Sequence, residues 1–208
     1  MLKEKLRSTR SDKKRDVRPT IPVTLKECIY RISYITNTPV KDVCVDICEA
    51  GVVSKKVMEH MSVYFRRQIW LDQTLYRGDL ANASIKCEIP AGQKKERITM
   101  RFSQRSFENI RALGYALDVT PTTAVALLLD ASVKNSDFIN EYVRIFLSKH
   151  VDEGRMRELK QVMTFINKNN PYEEQISWSA ITSFIVDEMK TGTSNLSQSI
   201  NGWLDKLK

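Results

Sequence analysis

Twice along this chain a short alternation of apolar and polar residues gives way to a helical period. Ile98, Met100 and Phe102 interleave with Thr99, Arg101 and Ser103, which is the period of a half-buried strand. From Ser106 onward the apolar positions fall three and four apart (Phe107, Ile110, Leu113, Leu117), the period of an amphipathic helix. Thr120 then caps a second helix with Pro121 in its first position, where a missing N–H costs nothing, and Val125, Leu128 and Leu129 mark its buried side. Phe138, Ile139, Tyr142, Val143 and Phe146 predict a third helix.

The same order is expected earlier in the chain. Ile21, Val23 and Leu25 alternate with Pro22 and Thr24, and Cys28, Ile29, Ile32 and Ile35 predict a helix face. Thr38 is expected to cap the next helix, with Pro39 as its first residue, Val40, Val43, Cys44 and Ile47 inside, and Gly51 at its end. A longer helix is predicted from about Ser54 to Tyr76, with Val57, Met61, Tyr64, Phe65 and Leu75 along one side. Ile21 lies 17 positions before Thr38, whereas Ile98 lies 22 before Thr120, so the first helix of the first unit is expected to be about a turn shorter. The repeat is one of pattern, with little identity between copies.

These periods divide the chain into a basic flexible arm (1–17), a first unit with its long helix (18–77), a linker rich in turn residues (78–96), a second unit (97–150) and a C-terminal helical region (151–208). Within the last region a helix is expected to end at Asn169-Asn170-Pro171. A second should cover 177–190, with Ile181, Phe184, Ile185 and Met189 on its buried side. Leu196, Ile200, Trp203, Leu204 and Leu207 form a stripe suited to docking on the body, to self-association or to a protein partner.

Charge changes the picture. The net charge is +8, and residues 1–18 supply +5 of it through Lys3, Lys5, Arg7, Arg10, Lys13, Lys14, Arg15 and Arg18 against Glu4, Asp12 and Asp16. Such an excess attracts phosphate polymers and anionic surfaces. With 42% hydrophobic residues, seven glycines and six prolines in 208 residues, the chain can still bury a proper core. No apolar stretch approaches the ~20 residues of a membrane span, and no apolar segment follows the N-terminal basic residues as a secretory signal requires. Cys28, Cys44, Cys48 and Cys87 read as reduced thiols; Cys44 and Cys48 lie one helical turn apart, but no CxxC pair or nearby His completes a metal site. His60 and His150 lie in separate units, and GxxxxGK[ST], HExxH and GxSxG motifs are absent, so neither an enzyme nor a bound cofactor or metal is expected.

A lone short strand needs a partner for its backbone groups, and neither unit offers one nearby in sequence. Each strand is therefore expected to pair with the other unit's strand in the same chain, with pairing to a second chain as the alternative. On this pattern of strand, polar helix start, helix, capped turn and helix, residues 97–133 resemble the ribbon-helix-helix family of DNA-binding proteins, and residues 18–52 resemble it more loosely. Pro22 departs from the pattern and is tolerable only if its nitrogen faces the open edge. The resemblance implies a mainly α fold: two such units sharing a two-stranded antiparallel β-ribbon, followed by the C-terminal helices.

The resemblance further implies a sequence-specific binder of double-stranded DNA, as a transcriptional repressor or other regulator. It would act in a bacterial or phage setting, in the cytoplasm and on the nucleoid when bound. Accessory factors of plasmid or phage DNA processing (partition, copy control, relaxosome assembly) belong to the same family. By position, the base-reading side chains would be Thr99, Arg101 and Ser103 with Thr20, Pro22 and Thr24. Phosphates would be held by Thr120, Thr122 and Thr123 and by Thr38, Val40 and Lys41 at the starts of the second helices. Lys94, Lys95, Arg97, Arg105 and Arg18 would add backbone attraction. The rival reading is an all-helical protein-interaction module whose extended lead-ins do not read DNA. RNA binding is disfavoured, because neither strand carries an aromatic platform for stacking bases.

Overall fold

The computed structural model describes residues 14–71, 73–85, 92–135, 142, 152–168 and 170–172. The expected helix around Phe138 to Phe146 (apart from Tyr142), the helix over 177–190, the Leu196–Leu207 stripe, Cys87, His150 and most of the basic arm lie outside the described residues. The protein is mainly helical with short antiparallel strand pairs. The elements run β1 (Arg15–Val17), β2 (Thr20–Pro22), α1 (Val23–Thr36), α2 (Val40–Val53), α3 (Lys55–Ser62), β3 (Ile69–Leu71), β4 (Thr74–Tyr76), β5 (Lys95–Arg97), β6 (Met100–Phe102), α4 (Gln104–Leu117), α5 (Pro121–Val133) and α6 (Glu153–Asn167).

β1 pairs antiparallel with β6, and β2 with β5, in one common register: Arg15 faces Phe102, Val17 faces Met100, Thr20 faces Arg97 and Pro22 faces Lys95. The two pairs are thus two halves of one ribbon, 15–22 against 95–102, formed within a single chain. Val23 N–H donates to Lys94 O (3.0 Å) and Ile98 N–H to Pro19 O (3.1 Å). Hydrogen-bonded pairs therefore fall at 23/94, 21/96, 19/98 and 17/100, and the pairs between them are of the non-bonded type. Pro22 occupies a non-bonded position, so its nitrogen points away from β5 and no ladder donor is lost. Pro19 occupies a bonded position, and its missing N–H is why the ribbon divides in two at residues 18–19.

The first strand differs from expectation. It occupies Arg15–Pro22 and so begins inside what composition marked as a flexible arm, and the second begins at Lys95, inside the expected linker. Leu25 fits a strand alternation, but it also opens the stripe Leu25, Cys28, Ile29, Ile32 and Ile35, every member of which is buried. The longer stripe prevails, and the helix starts at Val23. α1 and α4 consequently have equal length, 14 residues each, and the expected shortening of the first is corrected.

A shift of 81 positions carries Val23 to Gln104, Thr36 to Leu117 and Val40 to Pro121. It also carries Asn37, at φ 51°, to Asp118, at φ 56°, the two left-handed residues that end α1 and α4. The halves interlock, since β6 packs on α2 and β2 on α5, while α2 and α5 cross in the middle. At that crossing Gly51 lies against Ser132, its counterpart under the same shift. A Cβ on Gly51 would stand 1.9 Å from Ser132 Oγ and 3.1 Å from Leu128 Cδ1. Phe102, Ile21, Met100, Leu25, Ile47 and Ile110 are among the side chains sealed in the core.

The long helix expected from Ser54 to Tyr76 is replaced by the short α3 and a β3–β4 hairpin. The cause is tertiary: Arg66 and Arg67 N–H groups both donate to Ala116 O near the end of α4 (2.7 and 3.3 Å), so they cannot continue a helix. Ile69 and Leu71 then bury while Trp70 between them stays exposed, a strand alternation inside the helical stripe. α6 packs along α1 and ends at Asn167, close to the expected Asn-Asn-Pro break. Among the described residues no single helix is long and apolar enough to cross a membrane.

Candidate nucleic-acid interface

The ribbon has one sealed face and one open face, and its sequence dictates which is which. Val17, Pro19 and Ile21 point inward with Ile98, Met100 and Phe102, all buried. The alternate positions, Asp16, Arg18 and Thr20 on one strand and Lys95, Arg97, Thr99 and Arg101 on the other, are exposed. Outward residues fall in the non-bonded pairs, where opposing Cα atoms approach to about 4.5 Å and side chains meet most readily. Arg101 accordingly reaches across to Asp16, with Nε 2.8 Å from Oδ1. The Arg18–Thr99 pair is at the centre of the ribbon, because the 81-position shift carries Arg18 onto Thr99. The Asp16–Arg101 pair is related in the same way to Arg97 and Thr20.

Thr99, Arg101 and Thr20 therefore lie together on the open face, as the sequence predicts, and Arg18, Lys95 and Arg97, expected only to add attraction to the DNA backbone, lie there too. Ser103 and Thr24 do not. Ser103 caps α4, its Oγ accepting from Ser106 N (3.1 Å), and Ser106 Oγ bonds Glu49 Oε1 in turn (2.5 Å). Thr24 belongs to α1, because the helix begins one residue earlier. Pro22 is half-buried at the ribbon's end. Lys94 is exposed just beyond it; its neighbour Glu96 sits 3.8 Å from Lys94 Nζ and 2.9 Å from Lys26 Nζ. The hydrogen bond from Lys26 holds the Glu96 carboxyl below its ordinary value.

No family model matches this chain, and no curated protein or solved structure does.

The helix starts behave unequally. Thr120 caps α5: its Oγ1 accepts from Thr123 N (3.2 Å) and lies 2.9 Å from Thr123 Oγ1, while Thr122 is exposed beside them. In the first half the expected cap fails. Thr38 Oγ1 turns back to Thr36 O (3.2 Å), and Pro39, which matches Thr120 under the shift, precedes Val40 with no side-chain cap. The sequence pair Thr-Pro thus sits one position earlier in the first unit than in the second. Lys41 is exposed in this first turn but is followed by Asp42, a carboxylate suited to the helix dipole and adverse to a phosphate.

Arg105 is exposed at the start of α4 and lines a cavity of about 310 Å³ with Cys48, Val52, Phe102 and Asn109. A separate groove of about 880 Å³ between α1, β5 and α6 is lined by Lys26, Tyr30, Tyr34, Lys94 and Arg157. Arg66 and Arg67 clamp Asp118 (3.1 and 2.9 Å), with Arg67 also 4.9 Å from the Tyr115 ring centroid, fixing the turn ahead of Thr120. Sequence reasoning missed Asp16, because the basic composition around it hides the alternation Val17, Pro19, Ile21. It also missed the Arg66–Asp118–Arg67 clamp, which no local pattern announces.

Proposed function

We propose that this chain binds double-stranded DNA sequence-specifically, laying the open face of the 15–22/95–102 ribbon in the major groove in the manner of ribbon-helix-helix proteins, and so regulates transcription, most simply as a repressor. The observation that carries this reading is the composition of that face. Arg18, Lys95, Arg97 and Arg101 surround the small Thr20 and Thr99 on a ribbon narrow enough for the groove. Guanidinium groups suit the O6 and N7 of guanine, and threonines let the ribbon approach base edges closely. Support for phosphate anchoring is stronger at the Thr120–Thr123 turn than at Thr38–Lys41, where Asp42 intervenes. The two strands carry different side chains, so a single chain reading with both of them would select a site without two-fold symmetry.

The test is selection from random duplex DNA at near-physiological salt, followed by binding of Arg101→Ala to the enriched site. The expected result is an asymmetric motif and a loss of about 1–3 kcal/mol on substitution. Salt-sensitive binding with no enriched motif, or an Arg101→Ala variant equal to wild type, would refute it and favour a module that binds protein partners instead.

A further inference from the structure

The outward face carries one acid among its cations, and its placement is specific. Asp16 is Arg101's cross-strand partner, and its Oδ1 forms an ion pair with Arg101, 2.8 Å from Nε, the inner nitrogen of the guanidinium. A guanidinium can offer two parallel bonds either from its Nε–Nη edge or from its Nη–Nη end. The Asp16 carboxylate stands beside Nε, on the inner side of the guanidinium, which leaves the Nη end as the open one for a two-bond contact. Among the described residues no other partner engages Arg101. At the position related by the 81-residue shift, Arg97 faces Thr20, a neutral residue, so among the described residues no equivalent brace exists there.

We propose that Asp16 is a specificity-determining positioning residue. It holds the Arg101 guanidinium so that its Nη end addresses one guanine in one half of the bound site, while Arg97 in the other half makes a less selective contact. The inference rests on the ribbon being the DNA-reading surface, and it goes further in assigning the two halves unequal selectivity. A carboxylate on such a face opposes phosphate, so its presence lowers attraction to DNA in general. Discrimination gained at the expense of affinity is how a repulsive group sharpens specificity.

This gives a signature that a merely structural residue would lack. In competition binding against duplexes changed one base pair at a time within the enriched motif, Asp16→Ala should lose about tenfold in guanine preference at a single base pair. That base pair should be the one whose preference Arg101→Ala also removes, and the double variant should lose no more than Arg101→Ala alone. Affinity for unrelated duplex DNA should hold or rise. Asp16→Asn, which keeps an oxygen acceptor for Nε, should retain most of the preference. Both side chains are largely solvent-exposed (45% for Asp16, 65% for Arg101), so the variants should melt close to wild type.

An Asp16→Ala variant that keeps full preference at the Arg101-dependent base pair overturns the proposal. So does one that loses specific and general binding together. If Asp16→Ala fails to fold, an Asp16→Asn variant with as little preference as Arg101→Ala overturns it equally. Failure of the underlying reading shows separately, in the wild type and Arg101→Ala alone: either no base pair is preferred, or Arg101→Ala changes none of the preferences.

Discussion

The crossing of α2 and α5 makes a prediction that can be worked from distances. Gly51→Ala replaces a poor helix former by the best one, a gain of about 1 kcal/mol in a helix interior. Against that, the new methyl would stand 1.9 Å from Ser132 Oγ, 3.0 Å from Ser132 Cβ and 3.1 Å from Leu128 Cδ1. Ser132 can swing its hydroxyl aside, but its Cβ cannot move without α5. Overpacking of this kind costs about 1–3 kcal/mol, so the net expectation is a loss of about 1–2 kcal/mol. In a Ser132→Gly background the two nearest atoms are gone, and the hydroxyl lost is one that has no hydrogen-bond partner among the described residues. There Gly51→Ala should be neutral or stabilising by up to about 1 kcal/mol. The coupling between the sites is then about 2 kcal/mol, well above the ~0.3–0.5 kcal/mol scatter of independent sites. Urea unfolding of the four proteins in this cycle measures it, with unchanged slopes showing that the native state is the same. Equal cost of Gly51→Ala in both backgrounds would refute the close approach of the two helices, and with it the interlocking of the halves.

Three further expectations follow from side chains away from that crossing. Asp118 holds a left-handed conformation and two arginines, so Asp118→Ala should cost more than Asp118→Gly, by about 1 kcal/mol, in thermal or urea unfolding; equal costs would show that φ 56° carries no strain. Burial, assisted by Lys134, holds His60 below its ordinary value of 6.5. The unfolded chain therefore binds the proton first, and the stability due to neutral His60 is present above pH 6.5 and lost as pH falls through the folded-state value. The fall in urea midpoint between pH 7.5 and 5.5 should be smaller in His60→Gln, and an unchanged fall would refute the shift. Burial also pushes the thiols of Cys28 and Cys44 up to about 12 and that of Cys48 well above its ordinary 9.0. A disulfide reagent at pH 8 should leave all three unmodified in the folded protein and label them on unfolding; mass mapping of labelled peptides would show otherwise if any is accessible.

What could be read from the chain beforehand depended on how local its cause was. The helix over Gln104–Leu117 and the Thr120-Pro121 start of the next are written in periodicity and capping chemistry, both confined to a few neighbours. The pairing of the two strands within one chain followed from the absence of any nearer partner. The start of the first strand was obscured because Arg15, Asp16 and Arg18 share their composition with a solvated tail, while the alternating Val17, Pro19 and Ile21 span only five positions. The hairpin at 69–76 was illegible for a different reason. Phe65 and Leu75 fit a helical face, and the break comes from Ala116, fifty positions downstream of Arg66, whose carbonyl takes the N–H groups a helix would have used. Of the open face, Thr20, Thr99 and Arg101 were placed by alternation alone. Thr24 was misplaced because β2 ends at Pro22, three residues before Leu25 closes the apolar alternation, and Ser103 because β6 ends at Phe102 and the next residue caps α4.

The ribbon is closed by two stretches of the same molecule, so its assembly is a unimolecular event and dilution does not dissolve it. A ribbon shared between two identical chains exists only above a threshold concentration, and every substitution in it appears twice. Here a single molecule per cell would carry a complete outward face. A single codon change would alter one side of that face and leave the other as it was.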